Sequence, residues 1–216
     1  MAFDAYDDYE QSELVLKWLR ENGASIIVGI VIGLVGIFGW QQWRSHQARS
    51  QGEAAEIYQQ LQTALASGKT TAADQLVDKM MKDFEKSSFT VFAVSDRARQ
   101  QLEANQLDKA EASLQWAASH ASDEALKSLT ELRIARVELA RDNGAATLTA
   151  LDRIPAGQYQ GLSQELRGDA LVKLGRIDEA RKAYQAALSV LSEAAPQRAA
   201  LQMKLDDLAA AGKQGA

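Results

Sequence analysis

The chain has 216 residues with 46 % hydrophobic and 25 % charged, enough for a membrane segment and one soluble domain of ordinary size. It has no cysteine, which excludes disulfides, thiol chemistry and cysteine-ligated zinc. The net charge is −5, of which −4 lies in residues 1–22, so the basic footprint of a nucleic-acid binder is absent.

Residues 1–22 form an acidic tail. Asp7 and Asp8 are placed to cap a short helix through about Glu21, with Leu14, Val15, Trp18 and Leu19 on one face. Asn22-Gly23 suits a stop or a bend. An amphipathic collar at a membrane surface and a plain helical extension of the next segment fit the pattern equally.

From Asn22 to Trp43 no residue is charged. Twenty-two residues rising 1.5 Å each cover roughly 33 Å, against a hydrocarbon core of about 30 Å. Trp40, Trp43 and Arg44 then suit an interfacial aromatic belt with a basic anchor. The acidic flank, the long apolar run and the missing small-residue cleavage site set it apart from a signal peptide. A transmembrane helix is therefore predicted over residues 23–43. Gly29 and Gly33 form a small-xxx-small pair, with Gly36 near the same face. They suit a packing face for a partner membrane helix and, equally, the general glycine richness of such helices. Lys17 and Arg20 on one side balance Arg44 and Arg49 on the other, so charge leaves orientation open.

Beyond residue 50 apolar residues recur at three- and four-residue spacing, as in Ile57, Leu61, Leu65 and in Leu76, Met80, Phe84. This is helix periodicity, and only two prolines interrupt it. Breaks are predicted at Ser67-Gly68, Ser87-Ser88, Asn105-Gln106, Ser122-Asp123, Asn143-Gly144, Pro155 to Gly157, Gly175 and Pro196. The intervening segments of about 12–18 residues read as helix hairpins.

Within residues 168–188, Gly168, Leu171, Ala180, Tyr184 and Ala187 resemble the tetratricopeptide repeat, a 34-residue helix–turn–helix unit. Ala98, Gln101, Ala110, Leu114 and Ala117 fall in the same frame. A looser copy holds Ala135 and about Ala146, and a fourth holds Ala73. The expected fold is all-α: one N-terminal transmembrane helix, then residues 44–210 as a tetratricopeptide-like solenoid of about four hairpins. Residues 197–210, with Leu201, Leu205 and Leu208, are its capping helix, and residues 211–216 its flexible end.

The chemistry-bearing motifs are missing. No GxSxG, P-loop, HExxH or dinucleotide fingerprint occurs. His46 and His120 lack a nucleophile or metal-ligand partner in sequence, so no catalytic residue, metal or cofactor is assigned. The acidic tail lacks the turn glycine of a calcium loop. What remains is surface, and the concave face of such a solenoid holds peptides or protein segments. Arg99, Leu102, Arg136, Leu139, Asp169, Val172 and Lys173 are the candidates to line it, gripping extended chains through carboxylates and apolar anchors.

Four passages (ENGASIIVG, GWQQWRSHQ, SDEALKSLTELRIARVE and LRGDALVKLGRIDEARKAY) make the chain resemble the YfgM family of bacterial inner-membrane proteins over nearly its full length. The resemblance implies a cytoplasmic tail and a periplasmic repeat domain. It implies association with the SecYEG translocon and with the membrane-anchored chaperone PpiD, and help in passing secretory and outer-membrane clients to periplasmic chaperones. It further implies a link to stress signalling through the tail, and no catalytic residues. The alternative is a structural scaffold that joins fixed membrane partners without binding unfolded clients.

Overall fold

In a computed structural model residues 4–214 are described, and among them every regular element is an α-helix. Nine helices follow in order: α1 Asp4–Ala66, α2 Thr70–Asp83, α3 Ser88–Glu103, α4 Leu107–His120, α5 Glu124–Ala140, α6 Gly144–Leu151, α7 Gln160–Lys173, α8 Ile177–Val190 and α9 Gln197–Gln214. The chain divides into two compact units, residues 1–52 and residues 53–216.

The first unit is helical from Asp4 onward, so the expected stop at Asn22-Gly23 does not occur and Asp7 and Asp8 do not start a helix. The backbone therefore runs through Asn22-Gly23 as one helix. The reason is local: Asn22 turns its side chain back onto its own helix, donating from Nδ2 to the Trp18 carbonyl at 3.0 Å. Its apolar side chains, Ile27 through Phe38, are all solvent-facing, about half or more exposed. A water-soluble surface does not present such a continuous patch. Among the described residues this is the one helix long and apolar enough to cross a membrane. Trp40 and Trp43 lie together at the end of the uncharged stretch, ring centroids 5.3 Å apart.

The second unit is a stack of four helix hairpins: residues 53–66 with α2, α3 with α4, α5 with α6, and α7 with α8, followed by α9. One turn recurs in all four. A residue in the left-handed region ends each first helix: Gly68 (φ 66°), Asn105 (φ 56°), Asp142 (φ 59°) and Gly175 (φ 72°). The following N–H, of Lys69, Gln106, Asn143 or Arg176, donates five residues back, to Ala64, Gln101, Glu138 or Leu171, at 2.7–3.0 Å. This is the Schellman arrangement, which satisfies carbonyls that a helix end leaves open. Glycine adopts that backbone without strain, and asparagine and aspartate tolerate it.

The same residue's carbonyl then accepts the N–H four places on, from Ala73, Ala110, Thr147 and Ala180, starting each second helix. These four residues are essentially without solvent exposure and are 37, 37 and 33 residues apart. The third copy is therefore shifted by one from the expected Ala146: Ala146 is half-buried and Thr147 holds the inner position. Threonine serves there because its hydroxyl donates to its own helix, at the Asn143 carbonyl, 2.9 Å away.

Side-chain caps support the starts of α3, α5 and α6. The Ser87 hydroxyl accepts from the Phe89 N–H, the Asp123 carboxylate from Leu126 and the Asn143 amide oxygen from Ala146. Packing then fills the stack in three contiguous clusters. One centres on Leu61, Val77, Met80 and Val94, the next on Leu132, Val137, Leu151 and Leu166, and the last on Leu171, Ala180, Tyr184 and Leu201. Helix α9 closes the stack, burying Leu201 and Leu208, and it continues to Gln214. Of the end expected to be flexible, 211–216, residues 211–214 continue α9, and residues 215 and 216 lie outside those described.

Candidate functional site: a basic groove on the first helices

The first helices of the second and third hairpins, α3 and α5, enclose a cavity of about 150 Å³. Its floor is apolar, made by Ala98 and Leu102 of α3, Leu114 of α4 and Val137 of α5. Three arginines edge it: Arg99 from α3, and Arg133 and Arg136 one turn apart on α5. A single acid, Asp96, faces them.

Asp96 is held in place. Its Oδ2 accepts from the Tyr58 hydroxyl at 3.0 Å and from Gln62 Nε2 at 2.6 Å, both on residues 53–66 of α1. Burial and the neighbouring Asp96 carboxylate push the Tyr58 phenol up to about 12, so it stays a donor throughout the physiological range. Arg99 pairs with Glu103 one turn on, at 3.1 Å, with both side chains more than half exposed, a geometry worth little. The side chains of Arg133 and Arg136 form no hydrogen bond or ion pair among the described residues. Burial first, then the like charges of Arg136 and Arg99, hold the Arg133 guanidinium below its usual range, partly offset by Asp96 and Tyr58. The side chain nevertheless stays charged at neutral pH.

At the inner wall Ser95 is 2 % exposed, and its hydroxyl has no hydrogen-bond partner. A buried hydroxyl without a partner costs about 1–3 kcal/mol, and this one belongs to a residue that lines the cavity.

The structure brings three of the seven expected surface residues together here: Arg99, Leu102 and Arg136. It places the other four elsewhere. Leu139 packs beside the middle core cluster and Val172 beside the last. Lys173 pairs with Asp142 at the turn of the third hairpin. Asp169 accepts from the Tyr184 hydroxyl at 2.7 Å and from Lys204 Nζ at 2.8 Å, joining α7, α8 and α9. Arg133, Ser95 and Asp96 were missed. The signal for them was the helix period: Arg133 stands three before Arg136, and Ser95 and Asp96 stand four and three before Arg99.

On the first unit, Gly29, Gly33 and Gly36 have open space where a side chain would stand. No group of histidine, cysteine or carboxylate side chains able to hold a metal occurs among the described residues.

Stacked hairpins with a recurrent turn, small inner residues and a closing helix define a helical-repeat protein of the tetratricopeptide type. The family model described as a tetratricopeptide repeat-like domain matches residues 16–210. A relative from Escherichia coli, named "Ancillary SecYEG translocon subunit", is 33 % identical over 203 residues, 94 % of this chain and 97 % of its own length. Relatives of the same name from Aggregatibacter actinomycetemcomitans and Haemophilus influenzae are 30 % and 28 % identical, over 94 % and 96 % of this chain and the whole of theirs. The chain belongs to this family, the YfgM family.

Proposed function

We propose that the chain is a single-pass inner-membrane ancillary subunit of a SecYEG-type translocon. In this reading the tail is cytoplasmic and the repeat domain is periplasmic. There it binds secreted and outer-membrane proteins as they emerge and, alongside the membrane-anchored chaperone PpiD, helps pass them to periplasmic chaperones. The observation that supports it best is the match along almost the whole chain to relatives named ancillary translocon subunits, span and repeats alike.

The geometry agrees with such a role. A membrane tether confines the repeat domain near the channel exit and raises its effective concentration there, so weak contacts with passing chains suffice. A basic groove with an apolar floor suits brief capture of extended chains. No bond-making step is part of this reading.

A photocrosslinking residue at Gly33, in native membranes, tests the translocon half of the proposal. Channel subunits are the expected partners, because the glycine face is open and lets another helix backbone approach closely. Crosslinks only to a second copy of the chain would overturn it and assign the face to self-association.

A further inference from the structure

We propose that the cavity between α3 and α5 is a receptor for acidic side chains of an extended polypeptide segment. Arg133 and Arg136 take the carboxylates, the Ser95 hydroxyl donates to the inserted group, and an adjoining apolar residue covers Ala98, Leu102, Leu114 and Val137. The inference deepens the client-binding reading, on which it rests, by giving the groove a ligand chemistry.

Two independent observations support it. The first is charge. The cavity lining has three guanidinium groups against one carboxylate, and that carboxylate is already bonded to Tyr58 and Gln62. Arg133 is half-buried, with Asp96, Arg136 and Arg99 around it, and its side chain makes no ion pair. A guanidinium in that position is a strong receptor for a carboxylate, because its planar donors match both oxygens and its desolvation has largely been met. The second is the Ser95 hydroxyl, almost wholly buried, unpartnered and at the cavity wall. A buried hydroxyl without a partner costs free energy, so an occupant that supplies one is favoured over a purely apolar one.

The remaining positive charge at the lining amounts to two, so a segment with neighbouring acidic side chains matches it better than a single chain-terminal carboxylate does. The cavity volume fits one side chain with a few waters, so the segment lies across the groove and inserts a residue at a time.

The test uses the full-length protein in lipid nanodiscs and a fluorescent 12-residue peptide, acetylated and amidated, in which aspartate and glutamate alternate with leucine. Its partner peptide has asparagine and glutamine in place of the acids. The acidic peptide is expected to bind about tenfold or more tightly than the amide peptide, with the difference shrinking as salt rises. In the Arg133→Gln/Arg136→Gln protein the two peptides bind alike. Ser95→Ala weakens the acidic peptide about fivefold, the usual effect of one hydrogen bond. The variants are first shown to melt as the parent does.

Equal binding of both peptides to the parent overturns the proposal, as does a preference that survives the double arginine substitution. So does binding that requires a free C-terminus in place of the amidated one. Binding of a reduced, unfolded secretory protein is measured in parallel. If that persists while the peptide preference is absent, this inference fails and the client reading stands; if the unfolded protein is not bound at all, the client reading fails with it.

Discussion

Replacing Gly168 by alanine is expected to destabilise the repeat domain by about 3 kcal/mol, the upper end of the range for overpacking a core. A methyl group built there meets the Tyr184 ring at 2.3 Å, well inside any real contact. The ring has little freedom to retreat. Tyr184 is 3 % exposed and its hydroxyl donates to Asp169 at 2.7 Å, while Lys204 Nζ holds the same carboxylate from α9. Relieving the clash therefore disturbs an interlock of three helices. Thermal unfolding in detergent should show a midpoint lower by about 6–12 °C for a domain of this size. Adding Tyr184→Leu should recover part of that loss, a coupling that separates a steric clash from a general helix-propensity effect. Alanine is the better helix former in isolation, so an unchanged or raised midpoint would show that α7 and α8 cross less closely than described.

Deleting α9 is the second change with a large expected effect. The helix covers the open face of the last hairpin, where Leu201 is 1 % exposed and Leu205 and Leu208 lie beside Tyr184, Ala187 and Leu171. Lys204 adds ion pairs to Glu165 at 2.9 Å and Asp169 at 2.8 Å. Burial weakens the charge on Lys204, but hydrogen bonds to Asp169 and Glu165 outweigh it and raise its pKa, so the ammonium stays in place at neutral pH. Leu201→Ala alone should cost about 3 kcal/mol, as a buried leucine leaves a cavity. Removing residues 197–216 should do more, because an uncapped solenoid end exposes an apolar face that pairs with other molecules. Size-exclusion chromatography with light scattering should find aggregates and no cooperative melt. A monodisperse truncated protein with the parent's midpoint would mean that α9 is an appendage.

Much of the repeat domain was legible in the sequence because its punctuation is chemical. Gly68, Asn105 and Gly175 are residues that tolerate a left-handed backbone, and each ends a helix where expected. The third turn was harder to place. Its left-handed residue is Asp142, whereas the nearby Gly144 sits inside α6, where a side chain would run into the Ala170 carbonyl at 2.7 Å. That glycine answers to packing against α7 and not to turn geometry, and the same shift made Ala146 stand in for Thr147. Asn22-Gly23 shows the converse: a stop signal in a long apolar helix is overridden when the backbone bonds continue through it.

The candidate site was legible only in part. Arg99, Leu102 and Arg136 followed from the frame and do meet at one cavity, but Asp169 and Lys173 are engaged within the stack. Sequence spacing gives the face of a helix, and it does not give which hairpins leave a gap or which hydroxyl is left without a partner.

A photocrosslinking residue at Arg136, in membranes that are actively exporting protein, tests whether the repeat domain holds passing chains. Arg136 lies at the cavity, so many crosslinked bands from nascent secretory and outer-membrane chains are expected, disappearing when translation stops. A single fixed partner at that position, unchanged when translation stops, would contradict this and make the protein a scaffold.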